Sequence, residues 1–121
     1  MITSDAYSTL RKFWDIQDGG DYSQLSELFS DEAVLVDPIY GTFEGRPAIA
    51  KFMTKMNEEM AKIGASFRLE AIAGDHNVAW AQWIATTNDG ERSGVGVYRV
   101  MDGQITYYRD YMNEAVSKPA S

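Results

Sequence analysis

The feature that most constrains this chain is a change of hydrophobic period at Gly64. Before it, apolar residues recur at spacings of three and four; after it they alternate, and the alternation runs on to Met112. A helix buries one stripe and a strand buries one face. A chain that switches once from helices to a run of strands must therefore lay its helices on one face of a sheet, which is the α+β class.

In the helical half, Tyr7, Leu10, Phe13, Trp14 and Gln17 share a face of a first helix, with Ser4-Asp5 as its cap and Gly19-Gly20 as its stop. A shorter helix is expected from Tyr22 to Phe29, followed by Ser30-Asp31-Glu32 and a strand ending at Asp37. Pro47 opens a third helix, in which Ile49, Phe52, Met53, Met56, Met60 and Ile63 form one apolar stripe before Gly64. Strands are expected near Ser66 to Ala73, Val78 to Thr87, Arg92 to Met101 and Ile105 to Met112. Turn residues in Gly74-Asp75-His76-Asn77, Asn88-Asp89-Gly90 and Met101-Asp102-Gly103 predict an antiparallel meander. No linker or repeat interrupts the pattern, so residues 1–121 read as one domain.

A net charge of −7 opposes nucleic acid and anionic membrane surfaces, and no apolar run approaches the roughly 20 residues of a membrane span. The absence of cysteine excludes disulfides, thiol nucleophiles and thiolate metal sites. With no basic and apolar leader at Met1-Ile2-Thr3-Ser4-Asp5, a cytoplasmic location is expected.

Two carboxylates stand out. Asp37 ends the apolar run Val34-Leu35-Val36 and precedes Pro38; burial there would raise its pKa toward the range useful for proton transfer, whereas an Asp-Pro turn could equally use it to cap a backbone N–H. Asp110 shares a strand face with Thr106, Tyr108 and Met112. If Met101-Asp102-Gly103 is a three-residue loop with a bulge, Gly94 and Gly96 lie opposite Asp110 and Tyr108 and leave space beside the acid, whereas a two-residue turn would oppose Val95 and Val97; the bulge is preferred, because glycines inside a strand mark close approach. The alternative role for Asp110 is an ion pair with Arg92 or Arg99, or hydrogen bonding to tyrosines. Trp80, Gln82, Ile84 and Thr86 share a face of their strand, opposite to Trp83. His76, the one histidine, lies in a turn, and Glu44, Asp37 and Asp110 have no metal-ligand spacing, so neither an imidazole base nor a metal site is expected.

The chain resembles a SnoaL-like member of the nuclear-transport-factor-two-like superfamily. The resemblance is carried by Gly20-Asp21, Leu28-Phe29-Ser30-Asp31-Glu32-Ala33, Val36-Asp37-Pro38, Gly45-Arg46-Pro47-Ala48-Ile49, and Asp102-Gly103-Gln104-Ile105 leading into Arg109-Asp110-Tyr111. It implies a cone: a curved antiparallel sheet wrapped on N-terminal helices and enclosing a pocket. It also implies that Asp37 sits where similar ketosteroid isomerases carry their proton-abstracting acid. Their oxyanion tyrosine and protonated acid correspond to Phe13 and Gly96 here, with Tyr40, Tyr98 or Tyr108 as possible substitutes. Asp110 matches the acid that similar cyclases and limonene epoxide hydrolases carry in their last strand. The hydrolases' arginine and second acid correspond to Gln82 and Ile84, which weakens an epoxide hydrolase reading.

The expected activity is cofactor-free acid–base catalysis on a hydrophobic small molecule, of isomerase, cyclase or lyase type; the alternative is a non-catalytic ligand-binding or accessory domain. Asp110 and Asp37 are the candidate catalytic residues. Trp14, Tyr40, Met53, Trp80, Gln82, Tyr98, Tyr108 and Met112 are the candidate substrate contacts. The resemblance implies a homodimer through the exposed sheet, where Val95, Val97, Tyr107 and Tyr111 would supply an apolar patch.

Overall fold

The computed structural model describes residues 6–18 and 22–113. Its elements are α1 (Ala6–Asp18), a 3-10 helix (Tyr22–Leu28), β1 (Phe29–Asp37), β2 (Gly41–Glu44), α2 (Arg46–Lys62), β3 (Ser66–Gly74), β4 (Val78–Thr87), β5 (Gly90–Met101) and β6 (Gln104–Met112). The six strands form one curved, unclosed sheet in the order β2-β1-β6-β5-β4-β3. The α+β expectation holds, with one refinement. All pairs are antiparallel except β1 and β6, which run side by side in parallel.

The period before Gly64 explains both helices. Leu10, Phe13 and Trp14 of α1 and Ile49, Phe52 and Met53 of α2 are buried. The expected cap and stop of α1 at Ser4-Asp5 and Gly19-Gly20 lie outside the described residues. The second helical segment is 3-10 rather than α, because Tyr22, Leu25 and Leu28 repeat every third residue. Phe29, expected at its end, begins β1. Strand β2 is invisible to periodicity: it has four residues and one half-buried side chain, Phe43. That side chain stacks on Phe52 of α2, with ring centroids 4.3 Å apart.

On β4 the buried face is Ala79, Ala81, Trp83 and Ala85. The small alanines let α1 approach the concave side of the sheet. The β5–β6 hairpin corrects the expected three-residue loop. Asp102 and Gly103 both have positive φ (53° and 78°), and Met101 pairs with Gln104 in a two-residue turn. The bulge sits inside the ladder, where Arg99 pairs with Tyr107 but Val100 with Ile105. It changes the phase of β6, so that Ile105 and Tyr108 are both buried and Asp110 follows on the concave face.

Gly96 therefore lies opposite Asp110 and Gly94 opposite Met112, two residues along from the expected pairing of Gly94 with Asp110 and Gly96 with Tyr108. The space left by these glycines is filled by the protein itself. A Cβ on Gly94 would stand 2.3 Å from Trp83 Cζ2 and 2.5 Å from the Tyr111 carbonyl oxygen; one on Gly96 would stand 2.9 Å from Asp110 Oδ1. Since a backbone atom is involved at Gly94, a methyl there cannot be absorbed by a rotamer change. Gly94→Ala should cost about 1–3 kcal/mol in urea denaturation, and an unchanged midpoint would contradict this packing.

Candidate functional site

The parallel pairing of β1 and β6 sets Leu35 beside Tyr108 and Val36 beside Arg109. Strands running in the same direction end at the same edge of the sheet, and so Asp37 and Asp110 arrive together from distant parts of the chain. Both line an inner cavity of about 60 Å³. Its walls are Phe13, Trp14 and Gln17 from α1, Tyr22, Leu35, the α2 residues Phe52, Met53 and Met56, and Phe67, Trp83 and Tyr108 from the sheet. An outer cleft of about 220 Å³ shares Asp37, Met56, Phe67, Trp83 and Asp110 with it and extends past Tyr40, Met60, Ile63 and Arg92.

Asp110 is held at both oxygens. Trp83 Nε1 donates to Oδ1 at 3.1 Å, and the Tyr108 hydroxyl donates to Oδ2 at 2.5 Å. No ion pair reaches it among the described residues, so the expected Arg92 or Arg99 partner is not made. Arg99 lies over the Tyr107 ring instead. Asp110 keeps some surface open to the cavity, yet its carboxyl is deep in the protein. Burial pushes this carboxyl up to about 7; the Tyr108 and Trp83 hydrogen bonds hold it back, and the neighbouring Asp37 adds to the rise. The Tyr108 and Tyr98 hydroxyls lie well above the usual tyrosine range, through burial and then the Asp110 charge. Burial alone raises Tyr22 to about 12.

Asp37 takes the turn role. Its Oδ1 accepts hydrogen bonds from the backbone N–H groups of Ile39 (2.8 Å) and Tyr40 (3.0 Å), closing the turn into β2. It still faces the cavity.

The other predicted contacts divide. Trp14, Met53 and Tyr108 line the inner cavity, and Tyr40 and Met112 line the outer cleft. Tyr98 is fully buried and lines neither; its ring stacks behind Tyr108 at 4.3 Å and 8°. Trp80 and Gln82 are exposed on the opposite face of the sheet, contrary to expectation. Strand β4 carries large apolar residues on both faces, and the face under α1 is the one with alanines. Trp83 takes the place expected for Trp80. The signal that could have found it is the row Ala79, Ala81, Ala85, which is in phase with Trp83. Phe67, Tyr22 and Gln17 were missed because only the closure of the cone brings them together.

His76 is exposed in a bend, and its carbonyl oxygen accepts from Ala6 N at the start of α1. Among the described residues no group of three or more His, Asp or Glu side chains is placed to hold a metal, and no helix is long and apolar enough to cross a membrane.

This fold, with its helices laid into a curved sheet, defines a class that sequence and structure comparison identify. The family model of the SnoaL-like domain matches residues 10–108, and the chain belongs to that family. Among curated proteins none matches. Solved structures do. A provisional isomerase from Bacillus subtilis is 27% identical, with a TM-score of 0.71 and coverage of 92% of this chain and 88% of that one. An NTF2-like protein of unknown function from Mesorhizobium loti is 26% identical, with a TM-score of 0.75 and 88% coverage of each chain. A provisional ketosteroid isomerase from Kribbella flavida shares the fold at 20% identity, with a TM-score of 0.76, over 96% of this chain and 83% of that one.

The raised Asp110 carboxyl has a consequence for stability. An unfolded chain loses this proton near pH 4, while the folded protein keeps it until about pH 7. Between these values the native state holds more protons, so its stability falls as pH rises and levels off above pH 7. Asp110→Asn should remove that slope. In urea titrations the variant should gain on wild type from pH 5 to pH 8, and parallel curves would show an ordinary carboxyl.

Proposed function

We propose that this protein is a cofactor-free acid–base enzyme acting on a small, largely apolar molecule, as an isomerase, cyclase or lyase. The observation that carries this reading is Asp110: a carboxyl in the wall shared by an apolar inner cavity and the outer cleft, raised to about 7 and fixed by two donors. A group whose pKa lies near the working pH can both take and return a proton. The donors Trp83 and Tyr108 orient the carboxylate and stabilise it when the proton has left. Asp37 is the supporting acid, its charge raising the proton affinity of Asp110 while its own Oδ1 serves the turn. The likeness to provisional isomerases is in keeping with this chemistry.

The test is proton exchange at the carbon beside the carbonyl in small cyclic ketones, followed by NMR in heavy water. Asp110→Asn should slow exchange by about 10²–10⁴-fold, with wild-type rates rising through pH 7, whereas Asp37→Asn should retain most of the activity. Equal rates in wild type and Asp110→Asn would reject the enzyme. The second reading, a ligand-binding domain, is favoured by one observation: Asp37 is committed to two backbone hydrogen bonds, which leaves a single acid for chemistry.

The reading includes a homodimer through the outer face of the sheet. Trp80 (40% exposed) and Tyr111 (51%) stand there beside half-buried Val95 and Val97. Tyr111→Glu should convert a dimer to a monomer in light scattering at micromolar concentration; a monomeric wild type would reject the assembly.

A further inference from the structure

Of the arginines on the sheet, Arg68 pairs with Glu70, and Arg99 and Arg109 lie over tyrosine rings, whereas Arg92 makes no ion pair or ring contact among the described residues. Its position gives it a use. Arg92 stands opposite Ala85, whose side chain lies on the concave face of the sheet, so Arg92 belongs to that face as well. It lines the outer cleft, and no other Lys, Arg or His among the described residues stands in the walls of that cleft or of the inner cavity. Asp110, the partner expected for it, is held by Trp83 and Tyr108 instead.

A path leads from Arg92 to the acid. The next positions on this face of β5 are Gly94 and Gly96, and Gly96 is opposite Asp110. Four residues of strand set the two ends about 13 Å apart. No β5 side chain stands between them. The floor is Trp83, packed against Gly94, and Met112, paired opposite it; Met56 and Met60 of α2, with Ile63 just beyond, complete the apolar wall. The cleft therefore has an acid at its inner end, an apolar middle and a cation at its mouth.

These charges orient an occupant. An anionic head is excluded from the inner cavity, where Asp37 and Asp110 line the wall with no cation beside them among the described residues. At the mouth Arg92 is exposed, so a carboxylate there stays hydrated while it accepts two parallel hydrogen bonds from the guanidinium. Asp89 lines the same cleft and opposes further negative charge, which favours a single carboxylate over a phosphate or a dicarboxylate. The apolar middle takes a hydrocarbon chain.

We propose that Arg92 is a specificity-determining residue of the outer cleft and selects a monocarboxylate of medium chain length, bound with its carboxylate at Arg92 and its apolar end toward Asp110. This rests on the reading of the cavity as the substrate site and names the class of substrate: an acid whose reacting carbon lies several carbons away from its carboxylate.

The probes are octanoate, octanamide and octylamine, which share one chain and differ in the charge of the head. Affinities are measured by chemical-shift titration of the Trp83 indole N–H in the full-length protein at low salt. Octanoate should bind about fivefold more tightly than octanamide, and the preference should shrink as salt is raised. Arg92→Gln should abolish the preference and leave the affinity for octanamide unchanged. Arg92→Lys, which keeps the charge without the planar fork, should retain part of it. Equal affinities for octanoate and octanamide in wild type would overturn the proposal. So would a preference that survives in Arg92→Gln, tighter binding of octylamine than of octanoate, or no saturable shift with any of the three. Ketone exchange separates this proposal from the reading beneath it. Exchange that depends on Asp110 without a carboxylate preference sinks the Arg92 site alone, and a carboxylate preference with exchange independent of Asp110 sinks the proton-transfer role alone.

Discussion

A carboxyl group lines the cavity of this fold with no cation paired to it among the described residues, and what makes that arrangement possible is the absence of side chains on the strand opposite. Gly94 lets the Trp83 indole lie flat across β5, and Gly96 leaves the width that the Asp110 carboxylate and the paired rings of Tyr98 and Tyr108 require. With an ordinary side chain at either position, the indole or the acid would have to turn away. The donor contacts to Oδ1 and Oδ2 would then be lost, and a buried carboxylate without them is far more costly. The balance between burial and those two donors brings the group to about 7.

The second determinant is direction. An all-antiparallel sheet would have put the ends of β1 and β6 at opposite edges, with Asp37 and Asp110 far apart. The parallel pair brings them to one cavity, yet their environments differ. Asp110 faces aromatic walls, whereas Asp37 is drawn into the turn that starts β2. Two acids close together are thus differently bound: Asp37 closes a turn, and Asp110 is held by Trp83 and Tyr108, the arrangement on which the proposed proton-transfer role rests. The SnoaL-like fold itself supports many activities, so this local chemistry, and not family membership, carries the functional reading.

Much of the fold was legible. The helical stripes around Phe13 and Phe52, the stop at Gly64 and the meander of β3 to β6 all follow from local periodicity, which burial of one face imposes on each element separately. The face of β4 was not legible, since Trp80 and Trp83 are equally apolar. Only the docking of α1 on Ala79, Ala81 and Ala85 selects between them. The register of β5 against β6 was also out of reach, because a bulge at Thr106 moves every later pairing by one residue and leaves no compositional mark.

The sequence by itself therefore determined the class of fold, the order of its elements and the identity of the two acids, because period and turn chemistry are properties of short stretches of chain. Tertiary structure decided which side chains meet: Trp83 and not Trp80 beside Asp110, and Tyr98 behind the wall rather than in it. The physical reason is that burial and hydrogen-bond partnership depend on contacts between residues remote in sequence. Curvature, one bulge and one parallel strand pair set those contacts, and no local pattern encodes them.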